Sequence, residues 1–110
     1  MHNIKIYNNI AEEGLACLGD CFQRTDSLKN ADCIILRSAD LRAKDFPKTL
    51  LAIARAGAGV NNIPLERCAR EGIVVFNTPG ANANAVKELV LTGLLMAARN
   101  VPEAMDWVKD

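Results

Sequence analysis

The sequence predicts an α/β protein built on a doubly wound, five-stranded parallel sheet in three α/β/α layers. Three observations predict it. Short, continuous apolar runs recur along the chain, the pattern of strands covered on both faces. Segments with their own helix start and stop signals separate those runs. Five such runs fit into 110 residues, the length of one small domain.

The elements follow in order. "IKIYN" (Ile4 to Asn8) is short and β-prone. Ala11 to Leu18 reads as a helix, with Leu15 and Leu18 on one face and Gly19 as its stop. "CFQRT" is a second strand, polar enough for a sheet edge, and Ser27 to Asn30 fits a helical turn. "CIILRS" is the clearest strand, with three consecutive large apolar residues. A segment holding Pro47 leads to a fourth strand, "LLAIARAG". Pro64 suits the first turn of a helix to Glu71, because proline gives up no needed N–H there, and Gly72 closes it. "IVVFN" is the fifth strand and "TPG" a turn. Asn82 or Asn84 can cap a long helix from about Ala85 to Arg99, which Pro102 kinks or restarts. Right-handed crossovers wind such a chain into a doubly wound layer, and five strands favour a flavodoxin-like arrangement.

Composition narrows the function. Lys+Arg and Asp+Glu are both 13, so net charge gives no case for nucleic acid or an anionic membrane. Three Phe, one Tyr and one Trp do not interleave with basic residues, which excludes a base-stacking platform. The four cysteines (Cys17, Cys21, Cys33, Cys68) form no C-x-x-C and the one histidine is His2, so no metal site is expected. Buried free thiols in a reducing cytosol are the expectation for them. "MHNIKIYNN" has neither a basic n-region nor a long apolar core, and "AVKELVLTGLLMAA" is too short and too charged to span a bilayer. A soluble, cytoplasmic chain is expected. The long helix is apolar around nearly its whole circumference, from Val86 to Ala98, which predicts burial against another domain or subunit.

The chemistry is expected at the carboxyl ends of the strands, where doubly wound sheets bind ligands. Those ends carry Asn8-Asn9, Arg37-Ser38, Arg55-Ala56-Gly57 and Asn77-Thr78-Pro79. "GAGVNN" (57–62) begins like the dinucleotide fingerprint G-x-G-x-x-G, but Asn62 stands at the third glycine. Pro64 removes an N–H from the following helix, and the next strand ends in Asn77 where the fingerprint wants an acid. The turn is therefore expected to leave the N–H groups of Ala56, Gly57 and Ala58 free for a small carboxylate, with arginine beside them.

"ILRSA", "ARAGAGVNNIPLERCAREGIVVFNTPGANANAVKELVL" and "MAARNVPEA" closely resemble the N-terminal part of D-isomer-specific 2-hydroxyacid dehydrogenases. The resemblance is specific from about Cys33 onward. It implies an NAD-dependent oxidoreductase acting on a small, phosphorylated 2-hydroxy acid, and a homodimer or larger assembly for the whole protein. It implies that residues 1–98 belong to the substrate-binding domain, which a returning C-terminal stretch completes in relatives. Residues 99–110 would lead into a separate domain carrying the true fingerprint, NAD and the catalytic Arg, Glu and His. On this resemblance no catalytic residue lies in the chain, which is expected to be a fragment inactive by itself. Arg37 and Ser38 match the residues that hold the substrate's phosphate or carboxylate end. Arg55, Ala56 and Gly57 match the loop whose amides receive the acid. Ala58, where relatives often carry threonine, and Asn84 at the start of the interdomain helix would lie near the cofactor.

Two other classes share the topology. A phosphoacceptor signalling module needs acidic residues where this chain has Asn8-Asn9 and Arg37-Ser38, the wrong charge for Mg²⁺. A stand-alone small-anion-binding module would need no further domain.

Overall fold

The computed structural model describes residues 1–109. They form two compact units, one over Met1–Pro79 and a second from Gly80 onward. The first unit carries a five-stranded sheet, with β1 His2–Ile6, β2 Phe22–Thr25, β3 Cys33–Leu36, β4 Ala52–Arg55 and β5 Val74–Phe76. All neighbouring pairs are parallel and the order is β2-β1-β3-β4-β5, the flavodoxin-like arrangement.

The register assigns the faces. Ile4 pairs with Cys33 and Ile6 with Ile35, while Ile34 pairs with Ile53 and Ile53 with Val75. Alternation then puts Ile34, Leu36, Ile53 and Val75 on one face, and Ile4, Ile6, Cys33 and Ile35 on the other. The first face packs with Cys68 of α2 (Leu65–Glu71) and with Leu41, Leu50, Ile63 and Ile73 into the main buried cluster. Leu15 of α1 (Glu12–Ala16) lines a crevice with Ile4, Ile6 and Phe22, so this helix serves the second face. Each face thus has a helix. α1 covers the second face only beside β1 and β2, however, and Val74 and Phe76 of β5 stay exposed. The two-sided cover the sequence predicts is therefore incomplete among the described residues.

Strand boundaries shift for local reasons. β1 ends at Ile6, two residues earlier than the apolar run implies, because Asn8 turns into the left-handed region at φ 67°. It begins earlier too, since His2 pairs with Phe22. β2 pairs only with β1, and its Gln23 and Arg24 are exposed, consistent with a polar edge. Pro64 sits at the N-cap of α2, one position before the expected first turn. Gly72 ends that helix at φ 72°, a conformation that suits glycine. A short 3₁₀ turn at Leu28–Asn30 precedes β3.

The second unit holds α3 (Ala83–Ala98) and α4 (Val101–Lys109). α3 begins two residues before the expected start; Asn82 takes the N-cap position but makes no side-chain capping bond. Pro102 falls in the first turn of α4, restarting the helix after Asn100 at φ 52°. The apolar circumference of α3 is open in this chain, with Leu89, Leu94 and Leu95 between 62% and 72% exposed. No helix among the described residues is long and apolar enough to cross a membrane.

The cysteines depart from the expectation of buried thiols. All four are free, but Cys17 and Cys21 are exposed, Cys33 is half-buried and only Cys68 is buried. α1 explains it: the helix is only five residues long, so Cys17 and Cys21 fall in the turns between it and β2 rather than on its packed face. Burial raises the thiol pKa of Cys33 and Cys68, which lowers their reactive thiolate fraction. An aromatic disulfide reagent at pH 8 is therefore expected to modify two thiols rapidly in the native chain and Cys68 only on unfolding. Rapid reaction of all four without denaturant would contradict the packing.

Candidate functional site

The carboxyl ends of β1, β3, β4 and β5 form one rim, because the sheet is wholly parallel. Chain direction in the strand order reverses between β1 and β3, so the ends Asn8 and Arg37 mark the switch point where such folds open a crevice.

Two asparagines hold the segment that follows β3. Asn8 Oδ1 accepts the N–H groups of Arg37, Ser38 and Ala39 at 3.0, 3.1 and 3.1 Å. From the other side Asn62 Nδ2 donates to the carbonyls of Arg37 (3.2 Å) and Ala39 (2.8 Å). The backbone carbonyl of Asn62 then accepts the N–H of Leu41 at 2.9 Å, a residue sealed in the core. Asn62 therefore has a structural task where the dinucleotide fingerprint has glycine. The side chain that departs from the motif is the one that ties the β4 loop to the β3 loop.

The glycine turn is held by its oxygens. Thr78 N–H donates to Gly57 O at 3.0 Å, Asn77 Nδ2 to Ala58 O at 2.9 Å, and the Arg55 guanidinium to Gly59 O. A trans peptide directs its N–H opposite to its C=O. The N–H groups of Ala58 and Gly59 are thereby turned away from the end of β5. Those of Gly57, Ala58 and Gly59 make no hydrogen bond among the described residues. Ala56 is different from the expectation: its N–H continues the sheet ladder to Leu36 O at 2.8 Å. The free run thus begins one residue later than the sequence implies, because β4 stays paired to β3 through that residue.

The glycines also serve a purpose other than the expected one. Neither Gly57 nor Gly59 has a positive φ. A Cβ on Gly57 would come within 3.3 Å of Arg55 Nε, and one on Gly59 within 2.9 Å of Arg55 Nη1. The two glycines make room for the arginine side chain, which folds back under its own turn.

Charge on the rim is unbalanced. The ion pairs of the described residues are His2–Asp32, Arg24–Glu12, Arg42–Asp40 and Lys109–Asp106, so neither Arg37 nor Arg55 meets a carboxylate. Asp40, the nearest acid in sequence to Arg37, is held by Arg42, whose hydrogen bonds lower its pKa to about 2. Arg37 uses one donor on Asn9 O at 3.2 Å, and Arg55 Nε is buried without a partner. Two guanidiniums with spare donors and a run of free amides can hold a small anion through charge-assisted bonds. Among the described residues no cluster of His, Cys, Asp and Glu could hold a metal.

The rim unites Arg37, Ser38, Arg55, Ala56, Gly57 and Ala58, all in the first unit. Asn84 lies in the second, where its side chain is engaged within α3, accepting from Lys87 Nζ (2.6 Å) and donating to Glu88 (3.1 Å). Sequence reasoning did not single out Asn8, Asn62 or Asn77 as the ties. Its one available signal was asparagine at three positions next to strand ends or the turn, where a short amide side chain bonds readily to backbone.

Residues 7–105 match the model of the D-isomer specific 2-hydroxyacid dehydrogenase catalytic domain. The chain belongs to the D-isomer specific 2-hydroxyacid dehydrogenase family. It is 36% identical over 104 residues to the D-3-phosphoglycerate dehydrogenase of Methanocaldococcus jannaschii, covering 92% of this chain and 20% of that protein. It is 37% identical over 86 residues to the hydroxypyruvate reductase of Thermotoga maritima, covering 76% of this chain and 28% of that protein. Among solved structures, the NAD⁺-bound 3-phosphoglycerate dehydrogenase of Entamoeba histolytica matches 86% of this chain and 38% of its own, with a TM-score of 0.66 at 27% identity. The NADPH-dependent glyoxylate/hydroxypyruvate reductase of Sinorhizobium meliloti shares the fold, with a TM-score of 0.79 over 99% of this chain and 39% of that one, at 24% identity. This dehydrogenase-family chain spans between a fifth and two fifths of these relatives.

The asparagine tie gives a stability prediction. Asn62→Ala deletes two hydrogen bonds to carbonyls, an expected loss of about 1–3 kcal/mol in urea denaturation. A change below about 0.3 kcal/mol would mean the tie carries no load.

Proposed function

We propose that this chain is the substrate-binding part of an NAD-dependent D-3-phosphoglycerate dehydrogenase, which oxidises 3-phosphoglycerate to 3-phosphohydroxypyruvate in serine biosynthesis. The observation that carries the reading is the pair of rim arginines without carboxylate partners beside the free amides of Gly57, Ala58 and Gly59. A substrate with a carboxylate and a phosphate has two anionic ends, and the rim has two cationic holds for them. In this reading Arg37 and Ser38 take one end. The turn amides, with Arg55 behind them, receive the carboxylate and fix the hydroxyl-bearing carbon.

The chain's own residues do not suit the dinucleotide. Asn62 fills the third-glycine position with a side chain already committed to two carbonyls, and Pro64 offers no N–H at the head of a seven-residue α2. NAD is accordingly assigned to the domain that follows residues 99–110, with Ala58 and Asn84 the residues of this chain nearest to it. Residues 1–98 bind and orient the acid. The exposed apolar circumference of α3 fits a helix that a further domain or a second subunit covers in the whole cytoplasmic enzyme.

A second reading is favoured by the similarity to a hydroxypyruvate reductase. There the acid is unphosphorylated, and Arg37 has no phosphate to hold.

Calorimetric titration separates them. The chain is expected to bind 3-phosphoglycerate more tightly than glyoxylate, and Arg37→Ala to weaken 3-phosphoglycerate about 10- to 100-fold, the equivalent of one or two charge-assisted hydrogen bonds. Equal binding by the variant would favour the unphosphorylated acid. Substrate-dependent NADH formation by the 110-residue chain alone is expected to be absent; turnover would refute the division of labour.

A further inference from the structure

The amide nest at the end of β3 is already occupied by a side chain of the protein. Three successive N–H groups, those of Arg37, Ser38 and Ala39, converge on one oxygen, Asn8 Oδ1. Such a convergence of backbone donors is an anion-binding arrangement. Here it is filled by a neutral amide carbonyl. Asn8 reaches it from a left-handed backbone position, φ 67°, which asparagine, aspartate and glycine tolerate best. Its neighbour Asn9 accepts the Arg37 guanidinium at 3.2 Å. The turn after β1 therefore holds both the backbone and the side chain of Arg37, across the switch point of the sheet.

We infer that Asn8 is a positioning residue for the substrate's anionic end, an inference that rests on the small-acid reading of the rim. It acts through Arg37 and Ser38, not by touching the substrate. Filling the nest with a neutral oxygen does two things. It fixes the start of the Arg37 side chain, so that less freedom is lost when an anion is gripped. It also keeps those three amides from taking the anion themselves, which leaves the guanidinium as the hold and Gly57 to Gly59 as the amide site. An aspartate would fit the same space and accept the same bonds, but its charge would neutralise Arg37 and repel the ligand. Neutrality at residue 8 is thus a specificity feature that favours anionic substrates.

Two variants that keep the left-handed turn separate backbone from side chain. Asn8→Gly removes only the acceptor, and Asn8→Asp keeps the acceptor and adds charge. Amide hydrogen exchange at Arg37, Ser38 and Ala39 and the dissociation constant for 3-phosphoglycerate are read on the 110-residue chain. Asn8→Gly is expected to lose protection at those three amides and weaken binding about tenfold, with exchange of the Ile34 and Ile53 amides unchanged. Asn8→Asp is expected to restore protection and still bind more weakly than wild type, by a ratio that shrinks as salt rises. If wild type binds 3-phosphoglycerate and Asn8→Gly binds it equally, the inference is overturned while the small-acid reading stands. If Asn8→Asp matches wild type at low salt, the neutrality argument falls. If wild type binds neither 3-phosphoglycerate nor glycolate, the small-acid reading fails and takes the inference with it.

Discussion

The Asn62 amide is the tie on which the rim depends. Its Nδ2 holds two carbonyls of the loop after β3, while its own carbonyl holds Leu41 in the core. Loops at strand ends have no ladder to order them, so their backbone groups need other partners. Asn62 donates to the carbonyls from one side, and Asn8 accepts the N–H groups from the other. Between them they engage five backbone groups of the Arg37–Ala39 segment. Asn77 extends the same device to the glycine turn through Ala58 O.

With these carbonyls satisfied, the unpaired charge on the rim has one sign, and the acceptor left over is the neutral Asn62 Oδ1. The turn presents N–H groups, and the two arginines present guanidinium donors that no carboxylate neutralises. Three acids of the first unit have partners of their own: Asp40 holds Arg42, Glu12 holds Arg24, and Asp32 accepts the N–H of Asn3. A chain of zero net charge thus carries a local positive site, because no carboxylate of the described residues pairs with Arg37 or Arg55.

Much of this was legible in the sequence, and the rest was not for identifiable reasons. Continuous apolar runs such as "CIIL" and the polar "FQRT" marked a central and an edge strand, because burial on two faces leaves a pattern that periodicity detects. The carboxyl-end rule then located Arg37 and Arg55. Hydrogen-bond ownership was not legible. Whether the Ala56 N–H is free depends on where β4 stops pairing, a matter of one residue that no pattern fixes. The reason for Gly57 and Gly59 lies in the path of the Arg55 side chain, which sequence does not show. Cys17 and Cys21 were misjudged because a helix two residues shorter than expected at its end places them in turns. "GAGVNN" is informative through its last letter, once the partners of that asparagine are known.

The central claim is that the free amides of the β4 turn, with the two arginines, form a small-acid site, and that α2 does not serve a dinucleotide phosphate. The most direct measurement maps backbone amide shifts of the ¹⁵N-labelled chain during titration with 3-phosphoglycerate. The account predicts the largest saturable shifts at Gly57, Ala58, Gly59 and Arg37. Shifts centred on Leu65 to Arg67 at the head of α2, reproduced by NAD, would contradict it.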